Sequence, residues 1–337
     1  MARSKVSLQD IAGQLGVSVK TVSGALSGDG AIRMAEDTRR RIRSLADALG
    51  YQPNLVARGM RQGVMPIIGI VADGLITQPF ATEIMRAFDN SMRSDGLSVL
   101  VTSTGSGRSV ATSIAELRRL MPRAIAYATM YHQRVELPAS AQDEFELMIN
   151  CRGADGRVPA LVPAERDAGE TITRRLIEGG RRRIAFINLP GLIAGTFRAE
   201  GYRLALEAAD IAADETLIRP ATRGTYSNQA RSLVFEHITD LFVGPNRPDA
   251  ILCGNDRVAL EVYGALRRHA LSIPDDVAVA SFDNQVEIAA RLDPPLTTMA
   301  LPYRAMGRRA AEILAGHGAP ARAIEEIPFR LVERASI

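Results

Sequence analysis

The 337-residue chain carries only two lysines, Lys5 and Lys20, against thirty-nine arginines. Genome composition accounts for such a bias, and a lysine persisting at Lys20 hints that a slim point charge is wanted there. The two cysteines, Cys151 and Cys253, lie far apart in apolar runs, which predicts buried free thiols rather than a disulfide. No apolar run is long enough to span a membrane. The opening MARSKVSLQD lacks the apolar core of a signal peptide, so a cytoplasmic protein is expected. His132, His237, His269 and His317 show no metal spacing, and no G-x-S-x-G nucleophile turn occurs. Gly105-Ser106-Gly107 follows a strand and precedes a helix. It lacks the third glycine of a dinucleotide site and the Gly-Lys-Ser/Thr of a phosphate loop, which leaves a plain strand–helix turn. Together these absences argue against an enzyme and against any cofactor.

Charge is more informative when divided along the chain. Residues 1–65 hold ten Lys/Arg and five Asp/Glu, whereas the rest holds 31 and 33. A basic head on a nearly neutral body points to a polyanion bound by the head. Within it, Leu8, Ile11, Ala12 and Leu15 form one apolar stripe at i, i+3, i+4 and i+7. Gly16 follows where a left-handed turn residue costs least. Ser18 then suits the N-cap of a second helix, with Val22, Ala25 and Leu26 inward and Val19, Lys20, Ser23 and Gly24 outward. This is a helix-turn-helix pattern whose second helix fits a DNA major groove; an ordinary helical hairpin would show the same spacing. Glu36 to Leu49 reads as a third helix, stopped by Gly50 and Pro53, with Arg39, Arg40, Arg41 and Arg43 as a solvated face of which some members touch phosphate. Asn54 to Arg61 has helical residues, but Gly59 at its centre costs about 1 kcal/mol against alanine. So short a helix orders only against a partner, and Gly59→Ala is expected to stabilise it.

From Met65 the texture is α/β. Apolar strands recur at 66–72, 97–103, 124–130, 146–151, 183–189, 249–254 and 277–282, and PFRLVERASI supplies a last one. Helical stretches separate them at 82–94, 109–120, 168–178, 196–209, 227–242 and 257–269. Near-continuous apolar strands alternating with amphipathic helices predict buried parallel sheets covered on both faces. There are too many for one sheet, so two subdomains are expected, with a ligand cleft at the carboxyl ends of the strands.

Seven ordered segments carry a resemblance: LQDIAGQLGVSVKTVS, LGYQPNLVARGM, the run from Asp73 to Ile84, FRAEGYRLAL, PDAILCGND, DVAVASFDN and PPLTTM. Over essentially its whole length the chain resembles the lactose-repressor/galactose-repressor (LacI/GalR) family of bacterial transcription regulators. The fold implied is an N-terminal all-α helix-turn-helix head plus an α/β periplasmic-binding-protein-like core of two doubly wound parallel-sheet subdomains. The expected division is a head at 1–52, a hinge helix at 53–64 and a core at 65–337. Within the core, 65–163 with 294–325 would form one subdomain and 164–293 with 326–337 the other.

The resemblance implies that Val19, Lys20 and Gly24 read base edges and that Ser18, Thr21 and Ser23 meet phosphate or sugar. Leu8, Asn54 and Ala57 complete the DNA-binding set with Met60, which stands where relatives place the leucine that wedges between base steps in the minor groove. A Met60 packed on its own domain is the alternative. Gly24 departs from the arginine of many relatives, so Lys20 is the main long reader, able to donate to guanine O6/N7. For the cleft, Asp73, Phe80, Arg198, Asn255 and Asp283 are the implied effector contacts, Asp283 foremost as acceptor of paired hydroxyl protons. Ser103, Thr129, Asn150 and Asp256 are weaker candidates. Each of these alone would more often be a satisfied strand-end polar group.

A regulator of this kind binds a near-palindromic double-stranded operator as a homodimer and takes a small effector, here a carbohydrate or a derivative of one. A leucine heptad for the lactose repressor's tetramer helix does not follow the last strand. The alternatives are a sugar-binding protein without regulatory function, which would not need residues 1–63, and a DNA-binding regulator without effector.

Overall fold

Ser7 starts the first helix. In the computed structural model, which describes residues 6–27, 34–51, 59, 63–73, 82–104, 108–227 and 229–337, Ser7 Oγ accepts from Asp10 N at 3.3 Å. Asp10 Oδ2 accepts in return from Ser7 N at 2.7 Å, so two otherwise orphaned amides are satisfied reciprocally. Helix α1 (Leu8–Leu15) ends at Gly16, whose φ of 64° is the left-handed conformation expected of the turn. Ser18 then caps α2 (Val19–Ser27), accepting from Thr21 N at 3.1 Å. Ile11, Val22 and Ile42 have no exposed surface and hold α1 and α2 against α3 (Glu36–Ala48). Each such side chain contributes about 1.5–3 kcal/mol by leaving water. The chain divides into two compact units, Met1–Met65 and Pro66–Ile337.

The second unit contains two six-stranded sheets. The first is ordered β11-β5-β4-β3-β1-β2, from β1 (Met65–Asp73), β2 (Ser98–Ser103), β3 (Pro122–Val135), β4 (Leu147–Gly153), β5 (Ala160–Pro163) and β11 (Ile324–Ile327). Helices α4 (Thr82–Ser94) and α12 (Tyr303–Ala315) cover one face, and α5 (Val110–Arg118) and α6 (Ala139–Gln142) the other. The second sheet is ordered β12-β10-β9-β8-β6-β7, from β6 (Ile184–Asn188), β7 (Ile218–Pro220), β8 (Ala250–Cys253), β9 (Ala278–Asp283), β10 (Thr297–Ala300) and β12 (Arg330–Val332). Its faces are covered by α7 (Glu165–Glu178) and α8 (Ile193–Ala208) on one side and α9 (Val234–Phe242) and α10 (Asp256–Arg268) on the other, and α11 (Val286–Ala289) follows β9. The central strands are apolar and buried on both faces, as parallel sheets require.

Several expectations change on this scaffold. The boundary at 294 moves, because β10 pairs in parallel with β9 (Thr297 opposite Ala280) and so belongs to the second sheet. The chain leaves that sheet after Ala300. It returns after Ile327 rather than at 325, since all of β11 lies beside β5. The helix expected over 227–242 is only α9; before it, Leu233 N bonds back to Ala221 O and Arg223 N to Arg231 O, a local turn that competes with helix. Strands β5, β7, β10 and β11 are three or four residues long, too short to show a periodicity of their own, and α12 was not anticipated. Cys151 and Cys253 are buried free thiols, as expected.

The crossing of α7 over α8 matters most for the site. A Cβ at Gly169 would stand 2.4 Å from Arg198 O, and one at Gly201 would stand 2.0 Å from Arg166 O. Only glycine at both places lets the two backbones touch. That contact brings Glu165, at the start of α7, beside Arg198 in the first turns of α8.

Candidate nucleic-acid interface and effector cavity

On α2, Val19 is 40% exposed, Lys20 is exposed and Ser23 is half-buried. Ser18 and Thr21 bond each other, Oγ to Oγ1 at 2.8 Å, as part of the cap. Gly24 corrects the sequence reading: it is buried, not outward. A helical residue without a side chain offers so little surface that its neighbours cover it. Leu8 is half-buried and packs against the head's core. On α3, Arg40 pairs with Asp37 at 2.5 Å, and Arg43 Nε donates to Ala25 O at the end of α2. Asn54, Ala57 and Met60 lie outside the described residues. Gly59 is buried, and a Cβ there would meet Met65 Sδ at 2.0 Å and Met65 Cα at 3.2 Å. The helix propensity that the Gly59→Ala expectation rests on is therefore opposed by contact with Met65, whose side chain has to move to admit the added methyl.

In the core, the carboxyl ends of the strands line a narrow, partly open cavity, the place where folds of this kind take small molecules. Its first-sheet wall comes from an interruption of β3. Ala128 pairs with Ile149 and Gln133 with Cys151, so four residues of β3 stand opposite Asn150 alone. Asn150, at φ 60°, fills the gap by donating Nδ2 to Thr129 O at 3.0 Å and Met130 O at 2.8 Å. Thr129 Oγ1 lies 2.8 Å from Asn150 O. The bulge takes Tyr131 and His132 out of the ladder and sets them on the cavity wall. Thr129 and Asn150 are thus first the fasteners of that bulge.

The second-sheet wall is charged. Arg198 is buried; Nε donates to Glu165 Oε2 at 2.6 Å, Nη1 donates to Gly254 O at 2.5 Å, and Nη2 stands 3.8 Å from Asp283 Oδ1. Its guanidinium lies 4.3 Å from the Phe282 ring centre, a cation–π contact. Glu165 Oε1 is 3.5 Å from His132 Nδ1. Burial pushes the Glu165 carboxyl up, but Arg198 and His132 outweigh it and hold the group below its ordinary value. Asp283 behaves oppositely. Burial, together with the nearby Asp256 carboxyl, pushes it up to about 8 against the pull of Arg198. The different outcomes follow from distance, 2.6 Å to Arg198 for one carboxyl and 3.8 Å for the other. Asp283 also sits at φ 105°, a strained backbone for a residue with a side chain, as active and binding sites often show.

Of the anticipated effector residues, Arg198, Asn255 and Asp283 meet in this cavity, with Asn150 from the weaker set. Asn255 is already occupied, capping α10 through Val258 N at 3.0 Å and donating Nδ2 to Tyr226 OH at 2.9 Å. Asp73 does not line the cavity; it accepts from Thr104 Oγ1 at 3.1 Å. Ser103 does not line it either. Asp256 is buried behind it, accepting from Gln285 N at 2.6 Å and Thr298 Oγ1 at 2.9 Å. Phe80 lies outside the described residues. The sequence reading missed His132, Glu165, Arg257, Gln285 and Tyr303. Arg257 alone left a local signal, a cation in the first turn of a helix, where the helix dipole disfavours it.

Comparison with known proteins decides the family. The family model for bacterial regulatory proteins of the lacI family matches residues 7–54, and that for a periplasmic binding protein-like domain matches residues 173–337. The sucrose operon repressors of Shigella flexneri and Escherichia coli are each 32% identical to the chain over 309 residues, covering 90% of it and 92% of their own length. The chain belongs to the LacI family. Another LacI-family relative, the HTH-type transcriptional repressor PurR of Vibrio atlanticus, is 27% identical over 317 residues, covering 91% of this chain and 90% of its own. Among solved structures, a LacI-family regulator protein from Rhizobium etli superposes with a TM-score of 0.71 at 28% identity, over 80% of this chain and 98% of that one. The lac repressor dimer bound to operator and the anti-inducer ONPF gives a TM-score of 0.73 at 21% identity, over 99% of both chains, a likeness of fold. As a LacI-family member the chain is a DNA-binding transcriptional repressor with an effector-binding domain, and not an enzyme. No helix among the described residues is long and apolar enough to cross a membrane.

Proposed function

We propose that the protein represses transcription as a homodimer on a near-palindromic operator, and that a polyhydroxylated effector in the cavity between the two sheets sets its operator affinity. The division into subdomains and the operator contacts of Ser18, Val19, Lys20, Thr21 and Ser23, with Asn54, Ala57 and Met60 from the linker, belong to the same reading. The observation that carries the effector assignment is Asp283. It is a carboxyl on a strained strand end, opposite an arginine whose Nε and Nη1 are already engaged, and with little else to bond. Its Oδ2 receives one hydrogen bond, from Gln285 Nε2 at 3.2 Å. Paired ligand hydroxyls are the natural donors for the rest. The name of the sucrose operon repressor, a relative at 32% identity, supports a carbohydrate.

Such a ligand would bind the carboxylate form, whereas the empty cavity keeps the proton up to about pH 8. Binding at pH 7 therefore releases a proton, and affinity rises with pH until that value is passed. For operator control the ligand must bind two conformers unequally, and operator must change ligand affinity by the same factor. The test is calorimetry of the full-length protein against a panel of sugars, sugar acids and nucleosides, in buffers of different ionisation enthalpy, with and without operator. Asp283→Asn is expected to weaken the ligand by about tenfold or more, in line with roughly 1.5–3 kcal/mol for a lost charged hydrogen bond, and to abolish the proton release. Normal binding by Asp283→Asn would remove the assignment.

A further inference from the structure

Arg257 is not explained by anything above. It is half-buried on the cavity wall, in the first turn of α10, where the aligned peptide dipoles already place positive potential. Among the described residues it makes no hydrogen bond and no ion pair with a carboxylate. Its neighbours do not neutralise it. Asp256 beside it in sequence turns away to Gln285 N and Thr298 Oγ1. Glu165 is already balanced by Arg198 at 2.6 Å. The Tyr131 and Tyr226 rings near it meet edge to face, with centres 6.1 Å apart.

A second side chain in the same cavity is likewise unfinished. His132 is only 4% exposed; its Nδ1 has only the Glu165 carboxylate at 3.5 Å, and its Nε2 has no hydrogen-bond partner among the described residues. Buried polar atoms left in this way are costly unless a ligand completes them. Arg257 asks for strong acceptor oxygens, and His132 Nε2, an acceptor when Nδ1 carries the proton toward Glu165, asks for a hydroxyl of the same ligand.

We propose that the effector is an acid, a polyhydroxylated skeleton bearing a carboxylate or a phosphate, and that Arg257 receives the acid group while His132 bonds the same ligand from the first-sheet wall. This rests on the cavity being the effector site. A guanidinium binds either acid in a bidentate way, and the end of α10 adds to its field. A neutral sugar, by contrast, would leave a half-buried cation unanswered at a helix N-terminus.

The test uses matched pairs on the full-length protein: glucose with glucose 6-phosphate and glucuronate, fructose with its 1- and 6-phosphates, galactose with galacturonate. The acid form of the preferred skeleton is expected to outbind its neutral parent by about tenfold or more, and the phosphate and carboxylate arms tell the two acids apart. Arg257→Gln should collapse that ratio towards one, and Arg257→Lys should keep part of it. Thermal melting of both variants checks that the cavity is folded. A neutral parent that binds as well as its acid, or an undiminished ratio in Arg257→Gln, overturns the acid assignment while leaving the cavity as the effector site. Binding of no compound, or binding indifferent to Asp283→Asn, overturns the cavity reading itself and the acid assignment with it.

Discussion

Lys20 and Val19 stand in water on a helix whose cap, turn and core are all built from residues 6–51. Arg198, Glu165 and His132 sit out of water and Asp283 nearly so, and they come from four elements spread over more than 150 residues. The head holds Lys20 out in solvent, whereas the cavity has most of its polar groups engaged with one another. The difference is one of energetics. An exposed reader costs the fold almost nothing when it changes, but a buried ion pair is costly to break from either side because the partner is left charged and desolvated. The same substitution logic therefore gives opposite readouts in the two regions.

The sharpest way to break the comparison is Glu165→Ala. It strands the buried Arg198 guanidinium and should lower the stability of the core by about 3–5 kcal/mol. Amide exchange should show that loss in α7, α8 and β9 while α1 to α3 keep their protection; equal loss in the head would mean that the two units do not melt separately. Lys20→Ala should do the reverse. Binding to operator should lose roughly 1–3 kcal/mol and base preference should flatten at one position of each half-site, with the melting temperature unchanged, as competition footprinting and calorimetry would show. Gly59→Ala sharpens the boundary case. Its added methyl meets Met65, so stability should fall by about 1 kcal/mol, at the low end for overpacking. The Gly59→Ala, Met65→Ala double variant should recover that loss; if the single variant melts higher than the parent, the helix propensity of alanine has won.

How much could be read beforehand follows the same divide. The helix-turn-helix is a local object, and its stripe, turn glycine and N-cap are visible within twenty residues. The long apolar strands were equally plain, since burial on both faces leaves an unbroken run. Four strands of three or four residues were not visible, because their identity lies in the neighbour they pair with: nothing in TTMA distinguishes β10 from a loop until Thr297 is set opposite Ala280. At the cavity, Asp283, Arg198 and Asn255 were legible through the family's motifs. His132 and Glu165 were not, because neither stands in a motif; His132 reaches the wall through the bulge in β3, and Glu165 through an approach that two glycines of α7 and α8 allow. Gly24 was misplaced because a helical wheel assigns a face to a residue that has no side chain to present there.

The backbone contact at Gly169 and Gly201 has a mechanical consequence. Two helices locked that closely, with a buried ion pair at one end, cannot slide or bend independently, so the second sheet and its α7–α8 layer form one stiff body. Any relative movement of the two sheets that an effector selects has to be absorbed by the segments that pass between them, residues 164, 301–302 and 328–329. Those segments adjoin the charged wall, since residue 164 precedes Glu165, Leu301 lines the cavity and the Phe329 ring centre lies 5.8 Å from the Arg198 guanidinium, so a change in the crossing chain is felt directly at the cavity.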